Sequence, residues 1–204
     1  EPVLLALDTW SALLGQLGAQ LTAYHRQYPL RRGAPRSELR SRLQGLLPQV
    51  QIATRAANAL LAAAEAAGQW RSDEQVVGLA DFVPQPDARR QAAIDRLLAR
   101  YAAAPFAPPN LQDSLLALGD YTELLAYLLE QGVLVRVGSD VLLRKGDFDA
   151  MLAGIRHHLE AHGSITLAEV RDLFGTSRKY AQAVLEEMDA QRITRREGEG
   201  RVLR

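Results

Sequence analysis

Apolar residues recur along this chain at helical spacing, in sets of three segments, and each set ends in two short apolar runs around a polar turn. In residues 8–27 (DTWSALLGQLGAQLTAYHRQ), Leu13, Leu14, Leu17, Leu21 and Tyr24 share one face, which predicts an amphipathic helix with Asp8 as N-cap and Pro29 as its stop. Shorter helices are expected over 37–47 and 53–67, the second ended by Gly68. The runs QWR and VVGLADF then flank the turn 72–75 as the strands of a hairpin.

The same order returns twice. A helix is expected within 86–104, a proline-rich break at Pro105, Pro108 and Pro109, helices over 111–118 and 120–131, and a hairpin made of VLVRV, GSD and VLLRK. From Asp147 the pattern predicts a helix to the Gly163 stop, an extended SIT, helices over 167–174 and 177–191, and a hairpin of ITRR, EGEG and RVLR. The hairpins open at Trp70, Val133 and Ile193, 63 and 60 residues apart, and such regular spacing marks repeated modules. Three helices closed by a β-hairpin is the winged-helix plan. The expected fold is therefore mainly α with small β-hairpins, as three tandem winged-helix modules over 1–84, 85–146 and 147–204. Trp10 and Trp70 are expected to anchor the core of the first.

Charge adds nothing at the level of the whole chain and a good deal locally. Lys+Arg and Asp+Glu both number 24, so any nucleic-acid binding must come from segregated charge. The absence of cysteine excludes disulfides, thiolate metal sites and cysteine nucleophiles. No apolar run approaches a membrane span and the N-terminus has no signal-peptide order, so a cytoplasmic location without membrane contact is expected. The opening EPVLLALDTW lacks an initiator Met and reads as part of a longer protein.

The third helix of each module separates structural from functional readings. In the middle module it opens DYTE, where Asp120 and Glu123 suit a capping box that repels phosphate. In the first module it is alanine-rich, with only Arg55 near its start, and suits packing. In the last module it opens TSRK. A helix N-terminus carries about half a positive charge and prefers acid, yet Arg178 and Lys179 stand there. With Thr176 and Ser177 as hydroxyl caps, this start suits an external phosphate held by N–H groups and cations together. The last hairpin places Arg195, Arg196, Arg201 and Arg204 around a glycine-containing turn, with Glu197 and Glu199 reducing the charge at its tip.

Other chemistry is weak. His158 and His162 stand one helical turn apart, beside His157, but no third metal ligand accompanies them. Carboxylates without a nucleophile or histidine partner give no enzyme, and no G-x-x-x-x-G-K-[ST] loop occurs.

The stretch from Ile165 to Arg204, with RDLFGTSRKYA followed by TRR and VLR, resembles the last winged-helix module of the SelB family, the bacterial selenocysteine-specific translation elongation factors. YHRQYPLRRGAPRSELRSRL (24–43) and VVGLADFVP (76–84) resemble its preceding modules. The resemblance implies the last three of four winged helices that follow a GTPase half, and a non-catalytic role. The terminal module would grip the selenocysteine insertion (SECIS) hairpin of mRNA and tether the factor for UGA recoding. Carried onto this chain, Arg171, Thr176, Ser177, Arg178 and Lys179 would meet RNA at the helix start, with Arg195, Arg196 and Arg201 in the wing. Tyr180 has two readings, as a stacking platform for a splayed base or as core. The resemblance further implies GTP and Mg only in an absent N-terminal part, partnership with the ribosome and selenocysteinyl-tRNA through the full-length factor, and a monomer. A DNA-binding regulator and a protein-interaction scaffold remain open as alternatives.

Overall fold

The structure, a computed structural model, describes residues 7–46, 50–119 and 122–204. Two compact units divide the chain, Glu1–Pro86 and Asp87–Arg204.

In the first unit, α1 (Leu7–Gln27) is followed by β1 (Ala34–Pro35), α2 (Arg36–Leu46), α3 (Val50–Ala66), β2 (Trp70–Ser72) and β3 (Val76–Leu79). Leu13, Leu17 and Leu21 of α1 bury against Leu39 and Leu43 of α2, Leu60 and Leu61 of α3, and Trp70 and Val77 of the sheet, while Trp10 packs at the edge. The helix already starts at Leu7, so Asp8 lies in its first turn and complements the dipole from there instead of serving as N-cap. The described sheet has three antiparallel strands in the order β1-β3-β2, with Ala34 opposite Val77 and Trp70 opposite Leu79. β1, two residues long, had no periodicity to betray it. It reaches β3 by close backbone approach: a Cβ on Gly33 would run into the Val77 carbonyl, and one on Gly78 into that of Arg32.

His25 closes the far side of this core. Its ring is 3% exposed and stacks on Phe82 at 3.7 Å between centroids. Nε2 accepts from the Leu79 N–H at 3.2 Å. Burial, with the Arg71 charge adding to it, holds this imidazole below its ordinary pKa against weaker opposing pulls from the Arg31 backbone and Asp81.

The second unit carries two hairpins. Its first half comprises α4 (Ala88–Ala103), α5 (Leu111–Ala117), α6 (Thr122–Glu130), β4 (Leu134–Val137) and β5 (Val141–Arg144). Asp87 caps α4 by accepting from the Arg90 N–H at 2.8 Å, and Asn110 caps α5 by accepting from the Asp113 N–H at 3.0 Å. Asp120, half of the capping box expected at the next helix, lies outside the described residues. The second half comprises α7 (Lys145–His162), β6 (Ile165–Thr166), α8 (Leu167–Phe174), α9 (Arg178–Ala190), β7 (Thr194–Glu197) and β8 (Gly200–Leu203). The sheet β6-β8-β7 pairs Ile165 with Arg201 and Arg196 with Arg201 on either side of β8.

The expected division at 84/85 lies two residues from the boundary between units. The one expected at 146/147 falls inside the first turn of α7, which follows β5 directly. Val137, Val141 and Leu143 from β4 and β5 join Met151, Ile155, Tyr180, Val184 and Met188 in one core, so the second and third hairpins belong to a single packed body.

Candidate nucleic-acid interface

The turn between α8 and α9 carries the cations singled out in the sequence, and the two helices are finished differently. At α8, Thr166 and Glu169 form a complete capping box: the Thr166 N–H donates to Glu169 Oε2 at 2.7 Å and the Glu169 N–H to Thr166 Oγ1 at 3.3 Å. These bonds hold the Glu169 carboxyl below the usual carboxylate range. The helix ends on Gly175 in the left-handed conformation, φ +57°, and the Arg171 carbonyl accepts from both Gly175 and Thr176 N–H groups.

At α9 the N-cap Ser177 has the extended backbone of a cap, but its side chain makes no capping hydrogen bond, and no acid stands in the first turn. Thr176 does not substitute for it. Its residue is 8% exposed and its hydroxyl donates to the Phe106 carbonyl. The expected hydroxyl capping is therefore absent: the N-cap Ser177 makes no capping bond, and Thr176, one residue before it, is turned to the Phe106 carbonyl. Helix α9 stands with its N-terminal dipole uncompensated by any capping side chain.

Tyr180 is core. Its ring is 9% exposed and its hydroxyl donates to the Pro108 carbonyl, while burial pushes the phenol pKa up. In this packing it offers no platform to a base. Phe106 meets Phe174 edge-on, 5.1 Å between centroids, so the segment after α4 clamps the α8–α9 turn at three points. Lys179 forms an ion pair with Asp140 in the β4–β5 turn, which raises its pKa chiefly through that hydrogen bond. Arg171, Ser177 and Arg178 remain exposed at the turn. Among the described residues no carboxylate pairs with Arg178.

The wing divides its arginines. Arg201 is a fastener: its Nε donates to Asp189 Oδ2 at 3.0 Å, and Thr194 Oγ1 donates to Asp189 Oδ1 at 2.6 Å, which ties both strands to α9. Arg195 pairs with Glu197 at 2.9 Å, and Arg196 donates to the Gly198 carbonyl at 3.4 Å. Successive residues on β7 face opposite ways, so Arg195 and Arg196 present charge on different faces. Beside the helix start, Val137 to Val141 and the α9 residues Arg178, Lys179, Gln182, Ala183 and Glu186 line a groove of about 430 Å³.

The part that Asp140, Phe106 and Pro108 play at this helix start is not legible in the sequence, and nothing local could have found it: their contacts span 39, 70 and 72 residues. The Thr166-x-x-Glu169 box, by contrast, carried a readable signature. His158 and His162 lie 4.4 Å apart between centroids, but no three described side chains gather to hold a metal. No described helix is long and apolar enough to cross a membrane.

Family models described as elongation factor SelB, winged helix, match residues 19–79 (second domain) and 157–203 (third domain). A selenocysteine-specific elongation factor of Desulfomicrobium baculatum is 27% identical over 202 residues, covering 97% of this chain and 31% of that protein. The chain thus spans about a third of the length of this relative. Among solved structures, the mRNA-binding domain of elongation factor SelB from E. coli in complex with SECIS RNA is 25% identical, with a TM-score of 0.47, over 58% of this chain and 99% of that one. A bacterial selenocysteine-specific elongation factor EF-Sec shares the fold at 11% identity and a TM-score of 0.52, over 94% of this chain and 30% of that one.

Proposed function

The chain belongs to the winged-helix family of elongation factor SelB, and from that premise we propose that it is a non-catalytic RNA-binding array whose last winged helix grips an mRNA hairpin of the SECIS type. The observation that carries this reading is the start of α9. The exposed N-cap Ser177 makes no capping hydrogen bond and lies beside exposed Arg171 and Arg178, which together suit one or two phosphates. A-form RNA hides its major-groove edges, so such cations fix the backbone while specificity comes from loop bases.

The contact set differs from the one read in the sequence. Arg171, Ser177, Arg178 and Lys179 face the RNA, with Arg195 and Arg196 from the wing in support. Thr176, Tyr180 and Arg201 hold the site in shape from beneath. In the full-length factor, which would work as a cytoplasmic monomer, this grip tethers GTP, Mg²⁺ and selenocysteinyl-tRNA, carried on other domains, to a ribosome at a UGA codon.

The test is binding of the full chain to a selenoprotein-message hairpin and to a duplex DNA of matched charge, over a salt series. Tighter binding of the hairpin, weakened by Arg178→Ala, is expected. Equal affinity for both, or indifference to Arg178→Ala, would overturn the reading.

A further inference from the structure

Among the described residues the start of α9 meets one carboxylate, and it comes from another hairpin. Lys179 Nζ donates to Asp140 Oδ2 across 39 residues of sequence, with the two side chains 45% and 54% exposed. Asp140 follows Gly138, whose φ of +66° gives the β4–β5 turn its tight reversal, and this turn forms one wall of the groove beside α9. Gln182 on the same helix is engaged with Glu186 at 2.8 Å. Of the two cations in the first turn, one is therefore already neutralised within the protein and one is not.

Resting on the reading of this helix start as the RNA contact, we infer that Asp140 is a specificity-determining residue of the site: its carboxylate holds Lys179 in the place of a phosphate, and RNA binds by displacing it. An ion pair this exposed is weak, so a phosphate that also reaches Arg178 and the free helix N–H groups replaces the carboxylate at small cost. A polyanion held by loose Coulomb attraction alone finds a neutral pair where it would otherwise find a cation. Asp140 thus taxes every ligand at Lys179, and taxes most those that bring no other contact. A carboxylate from the preceding hairpin makes the neighbour part of the recognition surface.

The experiment measures dissociation constants of the full chain for hairpin RNA and for matched duplex DNA over a salt series. It compares wild type, Asp140→Asn, Lys179→Ala and the double variant, with Asp149→Asn as a control because that carboxylate pairs with Lys145 at 2.5 Å instead. Asp140→Asn should tighten hairpin binding about two- to fivefold. It should tighten duplex binding by more, with a duplex salt slope steeper by about one. In the Lys179→Ala background it should do nothing, and the control should stay at wild type. If Lys179→Ala weakens RNA binding while Asp140→Asn leaves it unchanged, the carboxylate is a bystander and the inference fails with the RNA reading intact. An Asp140→Asn effect that persists without Lys179, or is matched by the control, is a general charge effect and also overturns it. If neither Lys179→Ala nor Arg178→Ala changes RNA binding, the RNA reading itself has failed and this inference falls with it.

Discussion

The hydroxyl of Tyr180, in the first turn of α9, donates to the main-chain carbonyl of Pro108, in the loop between α4 and α5. Four residues before Tyr180, Thr176 does the same to Phe106, two residues before Pro108. The helix start that bears the cations is thereby held by a piece of chain some seventy residues away. Tyr180→Phe and Thr176→Val each remove one such bond and strand a carbonyl. Each should lower the stability of the second unit by about 1 kcal/mol in denaturant unfolding. If these bonds also aim Arg178, hairpin affinity should drop with an unchanged salt slope, since no phosphate contact is lost.

Arg178 and Arg201 should separate cleanly. Arg178 is exposed and without a carboxylate partner among the described residues, so Arg178→Ala should leave the melting temperature in place and flatten the RNA salt slope by about 0.7 to 0.9. Arg201 binds Asp189 at 12% side-chain exposure, so Arg201→Ala should cost about 1.5 to 3 kcal/mol of stability, read by denaturant melts. Equal melts for the two variants would show that the wing is not anchored through Asp189.

His25 predicts an acid-sensitive first unit. Its folded-state pKa lies below the ordinary value, so the unfolded chain takes up the proton more readily than the folded one. The stability that goes with neutral His25 is complete above the unfolded-state pKa of about 6.5. It is lost as pH falls through the folded-state value. The His25 ring resonances should titrate below pH 6.5, and the unfolding midpoint of the first unit should fall between pH 7 and pH 5. A His25→Phe variant should lose that pH dependence, since a phenyl ring stacks on Phe82 but does not titrate.

Gly78 sits where β3 passes under the Arg32 carbonyl, with no room for a side chain. Gly78→Ala must push backbone apart and should destabilise the first unit by about 2 kcal/mol or more in thermal or denaturant unfolding. Gly15→Ala, in open space on α1, should stabilise slightly.

How far the sequence spoke depended on the range of the physics. The helices of α1, α4, α8 and α9 and all three hairpins were legible, because their periodicity and stop residues act within a few positions. Helix α8 was placed to the residue, as Thr166 and Gly175 bound it from both sides. The cations at 178 and 179 were legible as an electrostatic oddity, but their surroundings were not. Lys179 was credited to an external anion alone, whereas Asp140 supplies one from another hairpin. Thr176 reads from the sequence as a cap and Tyr180 as either a stacking ring or core; Tyr180 is core, and both hydroxyls go to carbonyls in a distant loop. Strand β1 was missed for a similar reason: its two residues are strands only because β3 lies against them.

Two of the three ties between the α4–α5 loop and the α8–α9 turn end on main-chain oxygen. Every amino acid supplies that atom, so the loop side of the joint does not depend on which side chains occupy positions 106 and 108 for its hydrogen bonds. Only the Phe106 ring, packed on Phe174, puts side-chain identity into the contact. Substitutions along this loop can therefore accumulate while the helix start keeps its alignment, provided the backbone path is kept. The demands fall unequally on the two partners: the turn must keep its hydroxyls, and the loop need only keep its shape.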